Sequence, residues 1–364
     1  MQYIFILGRN PELSKEEVFC YLKKEEFKVL SSGDFESAVL VDIDKELEAK
    51  AIDKLGGIIG IGKVLCKINV KELEAKKIYY GTENKIIYVI WNFAKNNSYN
   101  KVSDYLKKRF KEEKLKASEK PLTGYLELQD GNHVKISSGL IDEEYFVTDD
   151  YFGKIIERSD YKNLEERDMK KPERRESLAI SPRLAKIMIN LSMTKKGETL
   201  LDPFCGIGVI LQEALLQGMN VVGVDKDERA ISGARKNLEW KRFNKEDYKL
   251  INDDSSRLGQ ARAQAIATEP ELGEKFKSLP SNEQINNIIN NYEKLMFRVL
   301  SNLKNKVSGR IVFTAPLVKD HRKNRKGCDI TTIAQRLNLR IVKNFPEFRE
   351  NQIIGREIFI LAKA

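Results

Sequence analysis

Four carboxylates stand where short apolar runs end: Asp202 after Leu200-Leu201, Asp225 after Val221–Val224, Asp254 just past Leu250-Ile251, and Glu269 after Ala265–Thr268. If those runs are parallel strands, the acids gather along the carboxyl edge of one sheet, where open α/β folds bind their ligands. Carboxylates there can accept from ribose hydroxyls and base amines, or pair with an ammonium group. Asp202 and Asp225 are separated by Pro203-Phe204-Cys205-Gly206-Ile207-Gly208 and an amphipathic stretch, Leu211 to Leu216. Strand, glycine turn, helix, strand, acid is the layout of a nucleotide-binding β-α-β unit. Gly206 and Gly208 have no Cβ and tolerate positive φ, so the chain can come close to a ligand at the turn.

The dinucleotide form of this unit requires G-x-G-x-x-G, but Leu211 stands at the third glycine and Asp202-Pro203 leads the turn. An acid at the end of the first strand suits a ligand with a cationic amino-acid tail, S-adenosylmethionine. The expected cofactor-binding set is therefore Asp202 toward the ammonium side, Phe204, Gly206 and Gly208 in the turn, Asp225 on the ribose diol, and Asp253 and Asp254 at the adenine end. Cys205 sits in the cofactor turn rather than on the substrate side, so a packing role is expected for it. Enzymes that methylate exocyclic amines place Asp or Asn, two prolines and an aromatic after the fourth strand. Thr268-Glu269-Pro270-Glu271-Leu272 matches the first half of that pattern only, and Glu269, Pro270 and Leu272 are the expected catalytic residues. An acid there accepts from the target amine and aligns it with the methyl group.

Elements that position these acids are legible around them. Ser181 and Pro182 open a helix with Leu184, Ile187, Met188 and Leu191 on one face. Helices are expected over Ala230–Trp240, Asn282–Leu303 and Thr331–Leu337, with strands at Tyr248–Asn252, Gln264–Ala267 and Gly309–Thr314. This alternation implies a mostly parallel sheet covered on both faces. The last strands, Leu339–Val342 and Ile358–Ala362, have no helix between them and imply a closing antiparallel hairpin. Upstream, Gln2–Leu7, a helix capped by Ser14 with Glu17, Phe27–Leu30, Ala38–Val41 across a Ser-Ser-Gly-Asp turn, a helix over Ile43–Leu55 and Ile58–Leu65 give β-α-β-β-α-β, the ferredoxin-like order. A strand at Ile86–Trp91 precedes a basic helix, Lys101–Lys114, with Val102, Tyr105, Leu106 and Phe110 on its apolar face. Short strands follow at Tyr125–Leu128, Val134–Ile136 and Tyr145–Val147. From Tyr151 to Glu176 apolar periodicity fades and charge crowds, which reads as a linker.

The chain has 364 residues, enough for two or three domains, and carries a net charge of +10, which favours a polyanionic partner. Cys20, Cys66, Cys205 and Cys328 are scattered and only His133 and His321 could assist them, so no metal site is expected and a reducing compartment is. The apolar start, Met1 to Leu7, is too short for a signal segment, and no run approaches membrane-spanning length. A cytoplasmic protein without a membrane partner is expected.

The sequence resembles the THUMP-domain tRNA guanosine N2-methyltransferases, the archaeal and eukaryotic enzymes acting near position ten of tRNA. The resemblance is carried by Leu7-Gly8-Arg9-Asn10-Pro11-Glu12-Leu13-Ser14, Leu55-Gly56-Gly57, Arg167-Asp168, Lys171-Pro172-Glu173-Arg174-Arg175, Ile180-Ser181-Pro182-Arg183-Leu184-Ala185, Met188-Ile189-Asn190-Leu191 and Asp202-Pro203-Phe204-Cys205-Gly206. It departs at Thr268–Leu272, where the family pattern is Asp-Pro-Pro-Tyr. It implies an α+β ferredoxin-like domain over 1–69, a THUMP-like RNA-binding domain over 70–150, a linker over 151–177 and a Rossmann-like α/β methyltransferase domain over 178–364. It also implies S-adenosylmethionine used on the exocyclic amine of a tRNA guanosine. Separately, a monomer is expected, with Lys107, Lys108, Arg109, Arg174 and Arg175 as phosphate contacts. The altered motif keeps open a catalytically silent homologue that binds cofactor and RNA; a DNA adenine methyltransferase is the other alternative.

Overall fold

A computed structural model describes residues 1–75, 78–122, 141–174, 180–259, 262–274 and 276–364. The strands expected at Tyr125–Leu128 and Val134–Ile136, and Arg175, lie outside the described residues. Contacts divide the chain into two units: 1–18, 27–53 and 57–159 form the first, and 19–26, 54–56 and 160–364 the second.

The first unit contains β1 (Gln2–Leu7), most of α1 (Pro11–Lys24), β2 (Val29–Phe35), β3 (Ala38–Ile43), β4 (Ile58–Lys67), α2 (Val70–Glu74), β5 (Lys85–Asn92), α3 (Ser98–Glu112), β6 (Lys116–Glu119), β7 (Glu143–Val147) and β8 (Tyr151–Arg158). One eight-stranded sheet runs β2-β3-β1-β4-β8-β7-β5-β6. Its first four strands are all antiparallel neighbours, as the ferredoxin-like order requires. Three expectations are corrected. The first helix begins at Pro11, not at Ser14. Asn10 accepts from the Leu13 amide at 3.3 Å, while Ser14 and Glu17 are buried and Glu17 accepts from Gly57 N–H at 2.7 Å. The second helix shrinks to a 3-10 turn, Ala51–Lys54, because the Glu157 carboxylate takes the Lys50 and Ile52 amides at 2.6 and 2.8 Å. Ser31–Asp34 lies within β2 rather than in a turn. The basic helix α3 does bury Val102, Leu106 and Phe110, and Phe110 meets Tyr88 edge-on with ring centroids 5.3 Å apart.

The second unit continues with α4 (Tyr161–Met169), α5 (Pro182–Ser192), β9 (Thr199–Asp202), α6 (Val209–Leu216), β10 (Asn220–Asp225), α7 (Glu228–Trp240), β11 (Tyr248–Asn252), β12 (Ala265–Thr268), α8 (Asn282–Leu303), β13 (Ile311–Lys319), β14 (Arg325–Lys326), α9 (Ile330–Arg336), β15 (Leu339–Glu347) and β16 (Ile354–Lys363). The sheet order is β11-β10-β9-β12-β13-β16-β15, with β14 paired to β13. Strands β9 to β13 pair in parallel, and β16 is antiparallel to both neighbours, so the closing hairpin inserts its second strand next to β13. Leu200 and Leu201 are both fully buried although adjacent strand residues point to opposite faces, so both faces are covered. Leu201, Val224, Ile266 and Phe313 share one core with α8 and α9.

The expected linker is corrected as well. Tyr151–Arg158 is a full strand, and Tyr161–Met169 a helix of the second unit. Polar contacts fasten α4 and the residues after it. Arg167 pairs with buried Glu213 at 3.3 Å, buried Lys171 with Asp168 at 2.6 Å, and Asn237 brackets the Glu173 backbone at 3.0 and 3.1 Å.

Candidate active site

Strand order reverses between β9 and β12, whose carboxyl ends open into a cavity of about 770 Å³. Its walls include Asp202, Phe204, Gly206, Asp225, Asp254, Glu269, Pro270 and Leu272, so eight of the ten cofactor and catalytic residues expected from sequence meet in one place. Gly208 and Asp253 are not in the wall. Gly208 stands behind the turn as the N-cap of α6, and exposed Asp253 accepts from the Asp254 amide at 2.7 Å.

The turn after β9 is built by backbone geometry. Gly206 and Gly208 have φ of 51° and 83°, a region costly for residues with a Cβ. The Cys205 amide donates to Val224 O at 2.9 Å, tying the turn to β10. Asp225 holds it from the other side: one oxygen accepts from Gly206 N–H and the other from Asp227 N–H, both at 2.9 Å. Ser255 ties the end of the β11 loop to Pro203 O through its hydroxyl.

Asp202 is almost fully buried. It accepts from Thr268 Oγ1 at 2.6 Å and from the Phe204 amide at 3.2 Å. Burial pushes its carboxyl up to about 7, with help from the nearby carboxylates of Asp225 and Glu269 and against those two hydrogen bonds. Asp254 lies exposed at the rim, held below the usual carboxylate range by the Ser256 amide at 2.8 Å. Burial drives the Cys205 thiol well above its ordinary value, the opposite of an activated nucleophile.

Glu269 has a partner that sequence reading missed. Arg356, on β16, donates through Nε to Oε1 at 2.5 Å and through Nη2 to Oε2 at 3.1 Å, while Thr314 Oγ1 donates to Oε1 at 3.3 Å. A carboxylate offers about four acceptor positions. The two Arg356 bonds and the Thr314 bond fill three, and the one left is on Oε2. Leu272 sits partly in the core shared with α8, and the rings in the cavity wall belong to Phe204 and Phe276. Arg356 is 87 residues from Glu269 and the β12–β13 and β13–β16 pairings bring them together, so no local signal could have found it. Phe276 carries a weak signal, an aromatic four residues past Leu272.

A family profile described as RMKL-like methyltransferase domain matches residues 172–316, and one described as DNA methylase matches 12–236. The tRNA (guanine(10)-N2)-dimethyltransferase of Pyrococcus abyssi is 26% identical over 99% of both chains. Along its whole length the chain is thus similar to a tRNA (guanine(10)-N2)-methyltransferase. The enzyme of that name from Methanothermobacter thermautotrophicus is 44% identical over 96 residues, a match taking in 26% of this chain and 28% of that one. Among solved structures, TrmN from Thermus thermophilus superposes over the full length of both chains with a TM-score of 0.53 at 12% identity. A possible methylase from Clostridium difficile 630 does so over 100% of this chain and 99% of that one, with a TM-score of 0.51 at 15% identity. These likenesses show a Rossmann-like methyltransferase fold.

The expected phosphate contacts are not gathered at the cavity wall. Lys107, Lys108 and Arg109 lie on α3 of the first unit, opposite Glu119 at 3.5 Å, Glu112 at 3.9 Å and Glu113 at 2.8 Å. Only the Lys108–Glu112 pair is well exposed on both sides, and such a pair contributes little stability. Arg174 belongs to the second unit and does not line the cavity. Among the described residues no helix is long and apolar enough to cross a membrane, and no group of three potential metal ligands occurs.

Proposed function

We propose that this chain is an S-adenosylmethionine-dependent tRNA methyltransferase acting on the exocyclic amine of a guanosine. The observation that carries the reading is the convergence of Asp202, Asp225, Asp254 and Glu269 on one cavity at the strand-order reversal. The residues suit the cofactor. A deeply buried carboxyl pushed up to about 7 is stabilised as an anion by an incoming ammonium group. Asp225 and Asp254 offer acceptors for a ribose diol and an adenine amine, and the cavity has the size of ordinary small-molecule sites. S-adenosylmethionine supplies an electrophilic methyl group.

The protein's part is to present the amine. The target guanosine must leave its stack to reach the cavity, and Phe204 and Phe276 offer rings against a base. The remaining acceptor position of Glu269, on Oε2, takes one N–H of the amine and turns the nitrogen toward the methyl group. Positioning, not proton removal, is the larger contribution, since the amine loses its proton readily once methylated and cationic. Glu269, Pro270 and Leu272 keep their proposed places at the target side, and Phe204, Gly206, Asp202, Asp225 and Asp254 theirs at the cofactor side; Gly208 supports the turn from behind, and Asp253 lies outside the wall. Residues 70–150 are proposed to serve as the THUMP-like RNA-binding part, with Lys107, Lys108, Arg109, Arg174 and Arg175 on phosphates. A cytoplasmic monomer fits the substrate.

The test is nucleoside mass spectrometry of tRNA from a deletion strain and its parent, paired with the purified protein and radiolabelled cofactor on tRNA transcripts. N2-methylated guanosine should be missing from the deletion strain and restored in vitro. Label on duplex DNA instead, or cofactor binding with no transfer to tRNA, would sink the reading in favour of a DNA enzyme or a silent homologue.

A further inference from the structure

The cavity wall carries seven carboxylates, those of Asp202, Asp225, Asp227, Asp254, Glu269, Glu271 and Glu274, against three cationic side chains, Lys226, Arg298 and Arg356. A nucleotide entering it brings phosphates that this wall repels. The cations that offset them must stand outside the wall yet be fixed relative to it. The turn between β13 and β14 meets both conditions. Lys319-Asp320-His321-Arg322-Lys323-Asn324-Arg325-Lys326 has five cationic residues and one acid. It is closed by its own hydrogen bonds: Asp320 Oδ1 accepts from the Arg322 and Asn324 amides at 2.9 and 2.8 Å, and the Asp320 amide donates to Asn324 O at 2.9 Å. It is also fastened to the β15–β16 loop, whose residues Asn351, Gln352 and Ile353 line the cavity. The Lys319 amide donates to Ile353 O at 2.8 Å, and Arg325 Nη2 donates to Gln352 O and Arg349 O at 2.9 and 3.0 Å. The Arg325 guanidinium stacks 3.8 Å from the Phe348 ring centroid. Arg325 is thus consumed in holding the turn. Arg322 and Lys323 at its tip are exposed, and among the described residues no acid pairs with them.

We propose that the β13–β14 turn is a phosphate-binding element of the methyltransferase unit, with Arg322 and Lys323 contacting the RNA backbone beside the nucleotide that enters the cavity. The inference rests on the RNA-methyltransferase reading and adds a contact surface on the second unit. The acidic wall accepts the base and the cationic cofactor, and the basic tip takes the charge the wall rejects.

The test is R322Q/K323Q and R322E/K323E in the full-length protein. Fluorescence anisotropy with a tRNA transcript is run across a salt series, beside steady-state methylation and cofactor binding. Each lost phosphate contact lowers the slope of log affinity against log salt by about 0.7–0.9. The glutamine pair should therefore flatten the slope by about 1.5 and raise Kd and KM for tRNA roughly tenfold. kcat at saturating tRNA, cofactor affinity and Tm should match wild type. The glutamate pair should weaken tRNA further, and a duplex DNA competitor should not reproduce the loss. Unchanged salt slope and KM in both variants of a methylating enzyme overturn the inference, as does an equal loss on duplex DNA. If the wild type fails to methylate tRNA, the RNA-methyltransferase reading fails by itself; the binding slope still decides the turn.

Discussion

Replacing Asp202 by Asn separates what the site costs the fold from what it gives the ligand. The carboxyl is almost fully buried, and burial raises it from the ordinary 3.8 to about 7. A folded-state value above the unfolded one means that the folded chain binds more protons between those two pH values. Stability therefore falls as pH rises from about 4, and the loss is complete once pH passes the folded value. At about 1.4 kcal/mol per pH unit the full loss is on the order of 4 kcal/mol. Asn keeps an acceptor for Thr268 Oγ1 and the Phe204 amide, which now sit at 2.6 and 3.2 Å, but cannot ionise. Ligand-free D202N should melt higher than wild type at pH 8, by several degrees at about 2–4 °C per kcal/mol, and by less than half as much at pH 5. Cofactor binding should respond in the opposite way. Wild type takes the cation with its carboxylate ionised, so binding at pH 6 releases close to one proton, and affinity weakens up to tenfold per unit below pH 7. D202N should bind weakly, without proton release. Melting at both pH values and calorimetry in buffers of different ionisation enthalpy read these quantities. A variant destabilised equally at pH 5 and pH 8, or wild-type binding without proton release at pH 6, refutes the assignment.

Arg356→Met should lower kcat about a hundredfold, the scale of a misplaced reacting group, with little change in cofactor affinity. R356K keeps the charge but loses the two-pronged geometry and should recover only part of the rate; a wild-type kcat for R356M would rule out a positioning role. Cys205 should resist maleimide at pH 8 in the folded protein, since burial keeps its thiol protonated, and C205A should keep activity within a few-fold. Rapid labelling of Cys205 that also abolishes transfer would contradict a packing role.

The site was legible where chemistry and chain are local. Asp202, Gly206 and Asp225 belong to one strand-turn-helix-strand passage, and the strand ends at Asn252 and Thr268 put Asp254 and Glu269 on the same edge. Sequence reading failed where distant polar groups decide conformation. Residues 43–55 carry helical spacing, yet Glu157 captures the Lys50 and Ile52 amides and leaves a single 3-10 turn. The segment after Arg158 looked like a linker because it lacks an apolar stripe. It is held instead by Asn237, Glu213 and a buried lysine, groups to which hydrophobic periodicity is blind.

The altered motif at Glu269 and the arginine on β16 explain one another. The resembled family carries Asp where this chain has Glu269, and a side chain one methylene longer has more rotamer freedom, which works against aiming an acceptor at an amine. The fork of Arg356 removes that freedom by fixing both oxygens, and Thr314 takes a further position on Oε1. One acceptor position remains on Oε2, and under the proposed function it offers the target the same presentation that a short, unclamped acid could give. Restoring the family residue alone should then harm the enzyme. In Glu269→Asp the carboxylate retreats by about 1.5 Å, the paired bonds to Arg356 lengthen beyond hydrogen-bonding range, and kcat should fall at least tenfold with the cofactor affinity intact. The double variant E269D/R356M, which removes the clamp along with the methylene, should be no worse than E269D, because the arginine no longer has a carboxylate to orient. Additive losses in that pair, read from kcat at saturating substrates, would mean that Arg356 acts on the substrate directly and not through Glu269.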